Sequence, residues 1–380
     1  MDPLHEDETH LALRRQTRRF AETEIAPFAA AWEEDEGFPR ELYAKAAAAG
    51  ILGIGYPEDL GGGGGDFSHA LAAAEEMILH GTSVGVVVGL GSHGIALPPV
   101  LAAGTKAQQE RFVRPVLAGD KIAALAITEP SAGSDVARVQ TKAVRDGDFY
   151  VVSGVKTFIT SGTRADFVTT AVRTGGEGHG GVSLLVIDAK TPGYSVSRQL
   201  RKMGWWASDT AELSFDECRV PVENLLGEEN GAFGIIMQNF ATERLYLAGN
   251  CVAIAELAHR EAIRYAQSRE AFGKPLVGFQ VTRHKLAEMA SRIAAARALT
   301  HEAIVRLRRG EPIAGLAAMT KNVATDMCLF VCHEAVQIFG GAGYLRDVVV
   351  ERLYRDARLY PIGGGTREIM NEIIAKVAGY

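Results

Sequence analysis

Two stretches carry the reading of this chain: Leu125–Val136, LAITEPSAGSDV, and Gln337–Ile369, QIFGGAGYLRDVVVERLYRDARLYPIGGGTREI. In the first, a strand-like run leads into a Ser-Ala-Gly-Ser-Asp turn that offers several backbone N–H groups and hydroxyls to one ligand. In the second, Gln337, Gly340, Gly341 and Gly343 end one helical pattern, after which Asp347, Arg352 and Asp356 recur at helical spacing. Read in isolation, the first is an ordinary turn and those charges form a solvated, salt-bridged helix face. The glycines Gly363–Gly365 pose a further question, since they put no side chain where a functional group could stand.

Outward from these stretches, hydrophobic period divides the chain. From about residue 8 to residue 120 apolar residues recur at three and four, and alanine-rich segments such as LYAKAAAAGILG alternate with glycine turns. One turn, LGGGGGDFSHA, lacks the Gly-Lys-Ser/Thr end of a phosphate loop and the Gly-x-Gly-x-x-Gly frame, because Asp66 takes the last position; a flexible loop capped by Asp66 is expected. Beyond residue 120 come DFYVVSGVKTFITSG, ADFVTTAVRT, GVSLLVIDA, YSVSRQL and AELSFDECRVP, rich in Val, Ile, Phe and Thr, as strands of an antiparallel sheet. From Gly231 the helical period returns for four or five long segments, one of them ending in Arg-Arg-Gly. The predicted fold class is α+β and multidomain: an N-terminal α-helical domain (1–121), a middle antiparallel β domain (122–228) and a C-terminal four-helix bundle (229–380).

Composition narrows the function. The chain has 380 residues, 47% hydrophobic and 23% charged, with a net charge of −6 that disfavours nucleic acid and leaves a small molecule as the expected ligand. Cys218, Cys251, Cys328 and Cys332 show neither metal spacing nor a disulfide framework; buried free thiols and a reducing cytoplasm are expected. The opening MDPLHEDETHLALRRQTRRF turns from acidic to a basic amphipathic helix, unlike a signal peptide. The run Met77–Thr105 carries no full charge, but its glycines and Pro98-Pro99 favour a buried helix and turn over a membrane span.

With this domain order, the two opening stretches resemble the acyl-CoA dehydrogenase family. LAITEPSAGSDV is similar to its Thr-Glu-Pro-x-Ala-Gly-Ser-Asp signature, and QIFGGAGYLRD to its Gln-x-x-Gly-Gly-x-Gly-Tyr signature. KTFITSG, KMGWWASDTAELSF, LLGEENGAF and REAFGKPLVGFQ add further matches, while Arg138 departs from the small residue that usually ends the first signature. The resemblance implies FAD as cofactor. By it, Leu125, Ile127, Thr128, Gly133 and Ser134 wrap the flavin ring, with Ser134 also reaching the substrate's pantetheine arm. Phe158, Ile159 and Thr160 lie against the isoalloxazine, and Thr366 and Glu368 complete the site. Arg269, Phe272, Gln280, Gln337, Gly340 and Gly341 hold the adenine and pyrophosphate half from a neighbouring subunit, so a homotetramer built as a dimer of dimers is expected. The remaining implied partners are an acyl-CoA substrate and an electron-transfer flavoprotein.

The chemistry needs a carboxylate to take a proton α to the thioester carbonyl while a hydride leaves the β carbon. Many members of the family keep that glutamate immediately before the last Gly-Thr, where this chain has Gly364. A branch resembling the long-chain and isovaleryl enzymes moves it to a C-terminal-domain helix before an arginine, which in NFATERLYLAG selects Glu243, with Arg244 beside it; the resemblance places Arg244 and Gly365 at the substrate. The glycines then leave room for the acyl chain near Gly365, and the Gly364 N–H is placed to polarise the thioester carbonyl. Outside the family, Asn239, Glu243, Tyr246 and Asn250 form a polar helix lane. His93 and Glu129 are expected in structural roles; Trp205 and Trp206 fit either a flavin edge or a partner surface. Two competing readings are an oxygen-reactive relative, such as an acyl-CoA oxidase or a flavin monooxygenase, and a catalytically silent assembly module.

Overall fold

In the computed structural model, which describes residues 6–380, the three periodicities become three packed regions. Residues 1–5, the start of the acidic opening and of the predicted N-terminal domain, lie outside the described residues. Asp7 caps the helix Glu8–Phe20, its carboxylate accepting from the N–H groups of Thr9 and His10, and Asp66 caps Phe67–Gly81 as its place in the sequence implied. The glycines before Asp66 are not a loose loop. The N–H groups of Gly62, Gly63 and Gly64 donate to the carbonyls of Pro57, Gly53 and Tyr56 at 2.9, 2.8 and 3.0 Å, folding the run onto the chain before it.

The uncharged run Met77–Thr105 forms the end of Phe67–Gly81 and the short helices Val84–Leu90, His93–Ala96 and Pro98–Ala103, with Val84, Val86, Val87, Leu90 and Val100 buried. Among the described residues one unbroken helical segment, Ala314–Tyr344, is long and apolar enough to cross a membrane. Its helix Ala314–Phe339 instead packs against four other helices of the C-terminal region.

The middle region is one sheet of eight strands: β1 (Ala123–Ala126), β2 (Lys142–Asp146), β3 (Phe149–Thr160), β4 (Phe167–Arg173), β5 (Val182–Asp188), β6 (Tyr194–Gln199), β7 (Thr210–Pro221) and β8 (Leu225–Leu226). The order is β6-β7-β3-β2-β4-β5-β8, with β1 beside β4. Pairing is antiparallel except for β1 with β4 and a single bridge between β2 and β4. β4 and β5 are buried along nearly their whole length, which accounts for their continuous rather than alternating apolar sequences.

Three long helices, Ala232–Ser268, Gln280–Arg308 and Ala314–Phe339, form the C-terminal bundle with the shorter Arg367–Ala378 as fourth member. A small hairpin, Glu270–Ala271 with Lys274–Pro275, joins the first two. The bundle grips the N-terminal region at Gly249, where a Cβ would stand 2.3 Å from Leu71 Cδ1.

One expectation is overturned. Arg352 and Asp356, on the helix Val349–Ala357, are not a solvated face: Asp356 is fully buried and Arg352 nearly so. Arg352 Nη2 donates to the Thr82 carbonyl at 2.7 Å, and Asp356 Oδ1 accepts the Trp205 N–H at 2.6 Å. Both therefore tie the C-terminal region to the other two, a role that helical spacing alone cannot distinguish from surface pairing. Asp347 is exposed, as expected.

Candidate active site

Glu243 lies in the first third of the helix Ala232–Ser268, on the stretch that faces the turn Gly363–Gly365. The two meet closely. A Cβ built on Gly364 would stand 3.6 Å from Glu243 Oε1 and 2.8 Å from Leu247 Cδ1, so position 364 already points at the carboxylate supplied from the helix. Gly364 and Gly365 have φ of +66° and +101°, left-handed conformations in which glycine has no Cβ penalty. Their carbonyls turn to protein cations: Gly364 O accepts from Arg244 Nε at 3.0 Å and Gly365 O from Lys321 Nζ at 2.6 Å. Glu243 is partly open to this cleft, yet the protein mass around it raises its pKa to about 7, a shift that Arg244 and Lys321 oppose by their charge. The same burial lowers the pKa of both cations, that of Lys321 to about 8. Arg244, expected to bind substrate, is buried and holds the turn through its Nε.

A second group of residues sits where β1 leaves the sheet. Lys156, fully buried on β3, donates to the Ile127 carbonyl at 2.9 Å and pairs with Glu129 at 2.7 Å, while the Thr157 N–H donates to the Thr128 carbonyl at 2.9 Å. Glu129 also accepts the N–H groups of Gln140 and Thr141, which fixes the turn from inside and gives Glu129 its structural role. Next to these anchors the β3–β7 register shifts between Lys156 and Ile159; Phe158, at φ +61°, is thrown outward and is 67% exposed. Leu125, Thr128 and Thr160 are half-buried and Gly133 and Ser134 exposed on this surface. The side chains of Ile127 and Ile159 instead enter the cores on either side of the sheet, so they can offer a ligand only their backbone.

The third group lines a cleft of about 440 Å³ bounded by Tyr265, Arg269, Leu276, Phe339, Gly340 and Gly341. Gly340 has φ +59° and open space where a Cβ would be. Gln337 is exposed one turn earlier and Gln280 begins the helix Gln280–Arg308, while Phe272, at the hairpin tip, is 98% exposed. Thr366 caps the helix Arg367–Ala378 by accepting the Ile369 N–H, with Glu368 exposed in the first turn. Contacts join the members within the first and second groups; among the described residues no hydrogen bond joins the second group to the third.

Residues 7–120, 124–218 and 230–379 match, in that order, the N-terminal, middle and C-terminal domains of acyl-CoA dehydrogenases. The chain belongs to the acyl-CoA dehydrogenase family. A solved structure of a probable acyl-CoA dehydrogenase from Mycobacterium abscessus superposes with a TM-score of 0.97 at 54% identity, covering 98% of this chain and 99% of that one. The short-chain specific acyl-CoA dehydrogenase of Bos taurus is 38% identical over 97% of this chain and 89% of its own length. The long-chain specific enzyme of Mus musculus is 37% identical over 97% and 86%. Such likeness to proteins of both names identifies a flavin-dependent oxidoreductase and leaves chain length open.

Acyl-CoA dehydrogenases are flavoproteins, and the residues present fit such a group. The outward Phe158 offers a flat apolar face, the cleft sets the side-chain-free Gly340–Gly341 beside the Arg269 cation, and the Thr366-capped helix start suits a phosphate. Sequence reading missed Lys321, which lies in an alanine-rich helix with no motif to mark it. Trp205 is buried, edge-on to Tyr360 with ring centroids 5.3 Å apart, and Trp206 lies under Arg346 and Arg355, which resolves their placement as a junction between regions. His93 is a core histidine with Leu90 and Leu52 carbonyls each 3.0 Å from a ring nitrogen.

Proposed function

We propose that this protein oxidises an acyl-CoA thioester to its trans-2-enoyl-CoA, with Glu243 as the base that removes the α proton. The observation that carries the proposal is the convergence of the Glu243 carboxylate on the space in front of Gly364, together with a pKa raised to about 7. A carboxylate with that pKa is about half ionised at neutral pH, and is basic enough to accept a carbon-bound proton as the acidity of the α carbon rises. The left-handed turn has its carbonyls tied back to Arg244 and Lys321, and in this reading the Gly364 N–H faces the same space and stabilises the developing enolate oxygen. FAD, when bound, supplies the acceptor for the hydride that leaves the β carbon. Thr128, Ser134, Phe158 and Thr160 orient its ring from the β domain. Arg269, Phe272, Gln280, Gln337, Gly340 and Gly341 hold its other half across a subunit boundary, so the working form is a homotetramer. The exposure of Phe272 supports this division.

An electron-transfer flavoprotein is proposed as acceptor and the cytoplasm as setting. The test is anaerobic titration of the purified protein with a panel of acyl-CoAs, following flavin absorbance. Bleaching by a subset supports the reading and names the chain length; a yellow protein bleached by none refutes it. Rapid reoxidation of the bleached protein by air alone would favour the oxygen-reactive alternative.

A further inference from the structure

The turn that carries Gly364 is held by two cations, of which only Arg244 is a sequence neighbour of the base. Lys321 comes from a different helix, Ala314–Phe339, and is 1% exposed. Burying an ammonium costs several kcal/mol unless it is hydrogen-bonded and faces negative charge. Its bond goes to a neutral carbonyl, Gly365 O, at 2.6 Å, and the carboxylate that meets the same turn, 3.6 Å from a Cβ built at Gly364, is that of Glu243. The other titratable groups that face it, Arg244 and Cys251, share the helix of Glu243, and the turn adds only carbonyls. A neutral donor would satisfy the Gly365 carbonyl without that cost, so the charge itself points to a further use.

We infer that Lys321 is a positioning residue for the reaction: it locks the Gly365 carbonyl so that the Gly364 N–H stays turned to the thioester, and its charge sustains the ionised form of Glu243. The inference rests on Glu243 being the base. Two effects of one ammonium can be separated by substitution. Lys321→Met removes both the donor and the charge, Lys321→Gln keeps a donor without the charge, and Lys321→Arg keeps both.

The experiment measures pH profiles of kcat and KM for the three holoenzymes with butanoyl-CoA and hexadecanoyl-CoA, alongside the infrared carboxyl signal that titrates in wild type and not in Glu243→Gln. For Lys321→Met, kcat is expected to fall about tenfold with KM within about twofold, and the acid limb and carboxyl titration to move up by about one pH unit. Lys321→Gln should move the limb equally with a smaller loss of kcat, and Lys321→Arg should return the limb to wild type. If Lys321→Met does not fold, the Gln and Arg variants decide the matter between them. Unmoved limbs with only a lowered Tm would overturn the inference and leave Lys321 as packing. A Glu243→Gln protein that keeps its turnover would remove the base assignment and this inference with it. An inactive Glu243→Gln beside unmoved Lys321 limbs would remove this inference alone.

Discussion

The chain has two glycine runs, Gly61–Gly65 and Gly363–Gly365, that look alike in sequence and do opposite things in the fold. In the first, N–H groups of the glycines bond back to carbonyls of Gly53, Tyr56 and Pro57, and a Cβ on Gly62 would lie 2.2 Å from the Tyr56 oxygen. That run is closed upon itself, and glycine is required because backbone packs on backbone. In the second, the carbonyls of Gly364 and Gly365 are taken by Arg244 and Lys321, and the space a side chain would fill is occupied by Leu247 and the Glu243 carboxylate. A turn whose carbonyls are held by buried cations keeps its N–H edge available to a ligand. The sequence of glycines is common to both; the difference lies in what satisfies the backbone.

The comparison can be broken at several points. The largest effect is expected from Glu243→Gln: turnover falls roughly a hundredfold or more while flavin remains bound, measured by single-turnover reduction and cofactor absorbance. In the other run, Gly62→Ala should leave turnover per folded molecule unchanged but cost about 2 kcal/mol of stability in denaturant melts. Gly63→Ala serves as its control, because the nearest atom to a Cβ there is 3.8 Å away, and it should fall within about 0.5 kcal/mol of wild type. Gly364→Ala combines a left-handed φ with a 2.8 Å approach to Leu247, and should lower kcat about tenfold with a modest loss of stability.

The smallest and most diagnostic effect is that of pH. Since Glu243 works ionised and its pKa is about 7, kcat/KM should decline below pH 7, a limb that pH-jump assays of the holoenzyme will show. The linkage has a definite sign. A carboxyl whose folded pKa lies above its unfolded value binds its proton more tightly when folded, so its contribution to stability falls as pH rises between the two values. Glu243 and Asp356, both raised to about 7 by burial, therefore make the protein less stable at pH 8 than at pH 5 as far as they are concerned. Glu243→Gln should raise Tm at pH 8 by about 2 °C while abolishing turnover, the expected trade between stability and an active-site charge.

How much of this was legible follows from which interactions are local. Asp66 announced its helix because a cap acts over three residues, and the strands from Phe149 to Pro221 showed in runs of β-branched and aromatic side chains. Glu129 was legible as structural from its place in the signature turn, although its partner Lys156 lies 27 residues away. Arg352 and Asp356 were misread because helical spacing reports that two charges share a face and is silent on what covers that face.

The sequence by itself determined the three-part order of helix, sheet and helix, the two signatures that mark the family, and the choice of Glu243 once Gly364 was seen to lack a carboxylate. Only the tertiary structure decided that position 364 and Glu243 converge on one space, that Lys321 reaches the turn from a third element, and that Trp205 is locked between Asp356 and Tyr360. The physical reason is range. Periodicity, caps and turns are set within a few residues along the chain, whereas burial, the pKa shifts it causes and the satisfaction of a turn's carbonyls depend on segments 44 to 151 residues apart that only packing brings together.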